Sequence, residues 1–338
     1  MKGEHAPALP SGAPAMTHRM THPRTHPKTH RPYDPGRRAV LKAMGALGLA
    51  AGFRPQWAGA ATDSLLRRAI PKTGERLPVI GMGSWITFNV GDDPALRAAR
   101  LKVLQTFFDR GGGLIDSSPM YGSSEAVIGY CLRHIADKQG LFAATKVWTP
   151  LQWHGVRQMA ESERLWGVKR FDLMQVHNLL DWEGHLETLR DWKAKGRIRY
   201  IGMTTSHGSR HAEMSQIMAT QPIDFVQLTY NILDREAEVR LLPQAAERGL
   251  AVIANRPFQG GALFDRFAKH PLPAWAEEFD ARNWAQFFLK FVVSHPAVTC
   301  AIPATSRVDH MQENMGACTG RLPDAETRAR MIKYVESL

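Results

Sequence analysis

The chain has 338 residues, 44% hydrophobic and 22% charged, a globular composition too long for one small domain and suited to one barrel or two half-sized domains. Its net charge of +11 would suggest a nucleic-acid or membrane partner, but nine Lys or Arg against Glu4 and Asp34 fall within residues 1–61. That surplus of seven leaves four net positive charges for everything after it, which sets nucleic acid aside as a partner.

Residues 1–36 are rich in His, Pro and Thr and carry the repeat Thr21-His22-Pro23, Thr25-His26-Pro27, Thr29-His30. Proline breaks every helical register and no carboxylate cluster helps the histidines, so a disordered tail is expected rather than a metal site. Met1, Met16 and Met20 all remain compatible with the true start. Residues 37–60 open on Arg37-Arg38, continue through an apolar run from Ala43 to Phe53 that is too short to span a membrane, and end at Ala58-Gly59-Ala60. This resembles a twin-arginine export signal, with Val40 where Phe or Leu is usual. The resemblance implies passage through the twin-arginine export machinery and a periplasmic location. Residues 61–69 read as a linker and 70–338 as the folded body.

Within that body, Ile70 to Trp85 reads as a hairpin with Thr73-Gly74-Glu75 at its turn, followed by a strand at 79–83. Helical and extended patterns then alternate. Helices are expected at 94–110, 124–137, 155–166, 183–195, 209–219, 236–248, 281–294 and 307–317, with a helical tail at the C-terminus. Strands are expected at the segments ending in Asp116, Val147, His177 and Thr204, then at 224–229, 250–255 and 298–302. Eight β/α repeats over about 270 residues predict a (β/α)8 TIM barrel. No GxGxxG follows the first strand, which disfavours a Rossmann domain. Cys131, Cys300 and Cys318 form no CxxC pair and read as buried thiols; whether Cys300 and Cys318 pair stays open.

The barrel reading places Asp116, Lys146 and His177 at the C-terminal ends of three successive strands, with Tyr121 five residues after Asp116. Singly, each has a plain structural explanation. Jointly, a lysine paired with Asp116 and pointing at Tyr121 is expected to stabilise the phenolate and lower the tyrosine pKa, while His177 can hydrogen-bond a carbonyl oxygen. No HxH or carboxylate cluster marks the strand ends, so no metal is expected.

Together with the segments IDSSPMYGSSE, ATKV, QVHN and IPATSRVDHMQEN, these residues make the chain resemble an aldo-keto reductase from about Ile70 to Asn314. The resemblance implies NAD(P)H-dependent reduction of an aldehyde or ketone, with Tyr121 as general acid, Asp116 and Lys146 tuning it, and His177 orienting the carbonyl. For the cofactor, preferably NADP with NAD as the other choice, it implies Gly83, Ser84 and Trp85 along the ribose and Gln227 at the carboxamide. Thr204 and Thr205 replace the usual Ser-Asn pair. Asn255, Arg256 and Phe258 stand where many members place an aromatic ring. Thr305 and Arg307 are expected at the 2′-phosphate, with Arg307 reading equally well as a surface arginine, and Glu313 and Asn314 at the adenine. Phe88, Met120, Trp148, Trp153 and Asn178 are expected to line an apolar substrate pocket. The departures at Thr205 and Asn255 also fit a nicotinamide-binding sensor or accessory protein of slow turnover. A monomer is the simplest assembly.

Overall fold

The computed structural model describes residues 64–206 and 208–338; the His/Pro/Thr-rich tail and the segment read as a twin-arginine signal lie outside the described residues. The first element is an antiparallel hairpin of β1 (Arg67–Ala69) and β2 (Arg76–Pro78), whose turn is closed by Gly74 at φ +76°, a conformation that suits glycine. Thus Arg67–Ala69, read as the end of a linker, is already sheet, and the body begins a few residues before Ile70.

The barrel follows in order: β3 (Met82–Gly83), α1 (Pro94–Asp109), β4 (Leu114–Asp116), α2 (Ser124–His134), β5 (Phe142–Val147), α3 (Gln152–Trp166), β6 (Phe171–Val176), α4 (Trp182–Ala194). The second half is β7 (Ile198–Thr204), α5 (His211–Thr220), β8 (Phe225–Thr229), α6 (Leu241–Glu247), β9 (Ala251–Asn255), α7 (Ala262–Phe267), α8 (Trp284–Ser294), β10 (Cys300–Ala301), α9 (Val308–Gly316) and α10 (Ala325–Glu336). Each strand from β3 to β10 runs parallel to the next, and the bridges Ile80 to Ala301 and Gly83 to Ala304 close the ring. The expected (β/α)8 barrel is therefore the observed one.

The differences have local causes. The strand expected at 79–83 keeps two residues, and at Gly81 a Cβ would lie 2.8 Å from the Leu114 carbonyl, so the chain runs too close to its neighbour there for any other residue. The helix expected at 236–248 splits into a short turn at Glu236–Glu238 and α6. The helix α8 starts at Trp284, where the Asn283 side chain accepts the Gln286 N–H at 2.9 Å. The extra helix α7 was not anticipated.

Two apolar regions form. One lies between the strands and the helices. The other fills the barrel's lower interior, where the rings of Phe142, Tyr200 and Phe225 sit 5.4 to 5.9 Å apart and Ile70 and Leu77 of the hairpin pack beneath them. Period-two alternation carries each strand's inward row upward from these residues: Leu114 to Asp116, Phe142 through Ala144 to Lys146, Leu173 to Gln175, Phe225 to Gln227. The interior is apolar at the bottom and polar at the top. Cys131, Cys300 and Cys318 are free and buried, and burial pushes the thiols of Cys131 and Cys318 up to about 12.

Candidate active site

Asp116 ends β4 almost completely buried, a position that would strongly disfavour an unpaired carboxylate. Three donors surround it. Lys146 Nζ lies 2.5 Å from Oδ2, while Gln175 Nε2 and Gln227 Nε2 each donate to Oδ1 at 2.9 Å. Gln227 also donates to Gln175 Oε1 at 3.2 Å and accepts from Asn255 Nδ2 at 3.4 Å, and Thr229 Oγ1 donates to Asn255 Oδ1 at 2.9 Å. A continuous polar chain therefore crosses the barrel from β4 to β9. It orients every amide in it.

Lys146 is 0% exposed and additionally donates to the Ser117 carbonyl at 2.8 Å. Burial pulls its pKa down, but the charges of Asp116 and then Tyr121 more than offset this, so the pKa is raised and the ammonium keeps its proton. Its Nζ stands 5.1 Å from the centre of the Tyr121 ring. Tyr121 closes the short helical turn Pro119–Tyr121, which the Ser118 side chain caps by accepting the Met120 N–H. Here the expectation of a lowered tyrosine pKa is corrected. Burial raises it, the charge of Lys146 and a hydrogen bond with it oppose that only in part, and the charge of Asp116 adds to the rise. The resting phenol is firmly protonated.

The His177 ring meets that of Tyr121 edge-on, with centres 5.7 Å apart and planes at 87°. Burial, then the Lys146 charge, push its pKa down to about 3, so the imidazole is neutral at any working pH. Asp116, Tyr121, Lys146 and His177 are thus brought together as expected.

The remaining positions divide. Gly83 packs so closely that a Cβ would lie 2.9 Å from the Ile302 carbonyl. Ser84 is buried, donates its hydroxyl proton to the Asp116 carbonyl at 3.0 Å, and has its Oγ 2.8 Å from Ser117 Oγ. The Thr204 hydroxyl accepts the Asn178 N–H at 3.0 Å, and the Thr205 carbonyl accepts from Asn255 at 3.1 Å. Trp85, Met120 and Trp148 are exposed on the loops after β3, β4 and β5, and Trp153 is exposed on the first turn of α3. Phe88, expected on that rim, is instead completely buried in the outer core, and Phe258 packs on Phe264 with ring centres 4.7 Å apart. Both rings gain more from apolar burial than from facing solvent. Asn178 adopts φ +52°, is half-buried, and its side chain accepts from Ser206 Oγ at 3.1 Å, which joins two loops.

Arg256 is exposed at φ +50°, and its carbonyl accepts from Asn231 Nδ2 at 3.2 Å. Thr305 Oγ1 accepts the Arg307 N–H at 3.1 Å, but the Arg307 guanidinium turns outward to an ion pair with Asp309. The expected joint phosphate grip of Thr305 and Arg307 is therefore not formed in this arrangement. Glu313 and Asn314 lie on α9, the former half-buried and the latter buried.

Gln175, Ser118 and Asn231 were not anticipated as site residues. Gln175 had a readable signal, a polar side chain at an inward position of an otherwise apolar strand. A second signal lies opposite: at Gly202 a Cβ would stand 2.8 Å from Gln175 Cγ, so the glycine inside β7 makes room for the amide. Asn231 lies in the loop after β8, where no periodicity speaks.

Comparison with known proteins accords with this geometry. A model described as the Aldo/keto reductase family matches residues 79–332. Methylglyoxal reductase YeaE of Escherichia coli is 27% identical over 259 residues, covering 74% of this chain and 88% of that protein. Among solved structures, an aldo/keto reductase from Klebsiella pneumoniae in complex with NADP and acetate superimposes with a TM-score of 0.67 at 24% identity, over 80% of this chain and 95% of that one. The holo form of an aldo-keto reductase from Bacillus halodurans gives 0.66 at 21% identity, over 80% and 96%.

Proposed function

Because the chain belongs to the aldo/keto reductase family, we propose that it reduces the carbonyl of an aldehyde or ketone to the alcohol with NADPH, after export by the twin-arginine route. The observation that carries the reductive reading is the buried Asp116–Lys146 pair set beneath Tyr121 and beside His177. Tyr121 is protonated at neutral pH and can therefore give its proton to a carbonyl oxygen that gains negative charge. The phenolate left behind faces the Lys146 ammonium, which stabilises it at the moment it forms. His177, held neutral, hydrogen-bonds the same oxygen and sets the carbonyl's direction.

NADPH, when bound, supplies the hydride for this reduction. The residues present suit it: hydroxyl and amide groups of Thr204, Thr205, Gln227 and Asn255 gather at or near the ends of β7, β8 and β9, and the exposed cations Arg256 and Arg307 lie on the loops after β9 and β10. Arg307 serves a phosphate only by leaving Asp309, an exchange made easy by the exposure of both. Trp85, Met120, Trp148 and Trp153 favour a carbonyl compound with an apolar substituent.

Replacing Tyr121→Phe is expected to lower kcat/KM on a carbonyl panel that includes methylglyoxal by roughly 10²- to 10⁴-fold while NADPH still binds. Wild-type turnover by this variant would overturn the reading. Export rests on Arg37-Arg38 and the apolar run behind them. Changing both arginines to lysine should hold the protein in the cytoplasm, and undiminished export refutes that part. Nucleotide released on denaturing protein taken from its own compartment identifies the cofactor and tests whether the folded protein carries it across.

A further inference from the structure

Ser118 performs two tasks with one hydroxyl. It lies between the end of β4 and the turn that carries Tyr121, fully buried, with extended backbone at φ −165° and ψ 146°. Its Oγ accepts the Met120 N–H at 3.2 Å, its carbonyl accepts the Tyr121 N–H at 2.9 Å, and the same Oγ stands 2.9 Å from His177 Nδ1.

On the reading that His177 orients the carbonyl, we propose that Ser118 is a positioning residue that fixes His177 as the Nε2–H tautomer and ties its ring to the turn holding Tyr121. A serine hydroxyl has one proton to give and two lone pairs to share. Met120 takes one lone pair. Among the described residues the only acceptor within hydrogen-bond distance of Oγ is Nδ1. Were Nδ1 itself protonated, it would donate to Oγ and leave the serine proton buried without an acceptor, an unfavourable state. The hydroxyl therefore donates to Nδ1, and the ring's single proton sits on Nε2, which has no partner among the described residues and is left to donate to a substrate oxygen. The neutrality of the ring agrees with this, since a doubly protonated imidazole could not accept from Ser118.

The link also explains a choice in the sequence. An alanine at 118 would fill much of the same space, cap nothing and leave the imidazole able to exchange tautomers. Because the hydroxyl also receives Met120, displacement of the histidine would disturb the turn of the proton donor, so the acid and the orienting group share one anchor.

The test is the tautomer itself. Two-bond 1H–15N spectra of full-length protein labelled with 15N-histidine, with the His177 signals assigned by their loss in His177→Gln, should show a single Nε2–H tautomer in the wild type and a mixture in Ser118→Ala. The Ala variant should bind NADPH as the wild type does and lose roughly five- to tenfold in kcat/KM, the worth of one oriented hydrogen bond, while Ser118→Thr restores both signals. A proton on Nδ1 in the wild type overturns the proposal. So does an Ala variant that keeps the single tautomer together with full turnover. A wild-type protein that reduces no carbonyl yet holds the Nε2–H tautomer counts against the reductase reading and for the Ser118 lock.

Discussion

At His177 the environment selects one protonation state at the expense of acid stability. The ring is neutral down to about pH 3 in the folded chain, whereas an unfolded histidine takes up its proton near 6.5. Below 6.5 the unfolded state therefore binds a proton that the native state refuses, and stability falls as pH drops from that value toward 3. At pH 5 the loss amounts to about 2 kcal/mol. Urea melts at pH 7 and pH 5 should show the wild type losing more stability than His177→Gln by about that difference. Equal losses would mean that the ring is accessible to protons. Tyr121 follows the opposite logic: the same burial that neutralises the histidine keeps the phenol protonated. Desolvation thus sets both groups in the protonation states that the proposed reduction requires.

Among the elements, α8 shows how a buried charge can organise a chain segment without taking part in chemistry. Lys290 is 0% exposed, and its ammonium donates to the carbonyls of Phe279 at 2.8 Å, Thr319 at 2.7 Å and Arg321 at 3.0 Å. These carbonyls belong to the segment before α8 and to the link between α9 and α10, neither of which has a ladder partner there. Lys290→Met keeps the apolar stem and removes the donors, which should cost at least about 3 kcal/mol in equilibrium unfolding. A variant as stable as the wild type would show that water replaces the ammonium. In the sequence this lysine is simply one polar position in the apolar helix WAQFFLKFVVS. Its purpose depends on three carbonyls distant in sequence.

For the whole molecule, the barrel separates stability from chemistry along its axis. The hairpin plugs the lower end: Ile70 is completely buried beneath Phe142, Tyr200 and Phe225, and Glu75 accepts from Tyr200 Oη at 2.7 Å and pairs with Arg199, which in turn reaches Asp172 at 2.7 Å. Ile70→Ala should lower unfolding free energy by about 2 to 5 kcal/mol while kcat, measured well below the melting temperature, stays at the wild-type value. A matching fall in kcat would tie the plug to the site.

The alternation of strand and helix, with Asp116, Lys146 and His177 at strand ends and Tyr121 in the turn beyond the first of them, was legible because it rests on local periodicity and on the fixed order of barrel strands. What escaped depended on three-dimensional proximity. Phe88 looks like a rim residue until its loop folds inward, Arg307 like a phosphate contact until Asp309 captures it, and the tyrosine pKa cannot be signed without knowing how much solvent burial removes. Gln175 and Gly202 lay between these cases, a polar residue and a glycine in two apolar strands whose pairing makes each the reason for the other.

The sealed pair of Asp116 and Lys146 bears on the medium in which the protein works. Mobile ions weaken interactions between charges they can approach, over a distance of about 8 Å at physiological ionic strength, and the side chains of Lys146 and Asp116 offer them almost no surface. Proton transfer at Tyr121 should proceed alike in dilute and in concentrated brine. Arg307 and Asp309, open to every passing ion, should not be so indifferent. On the proposed reading, a change in the ionic content of the medium would then alter how firmly the dinucleotide is held and leave the step it enables untouched.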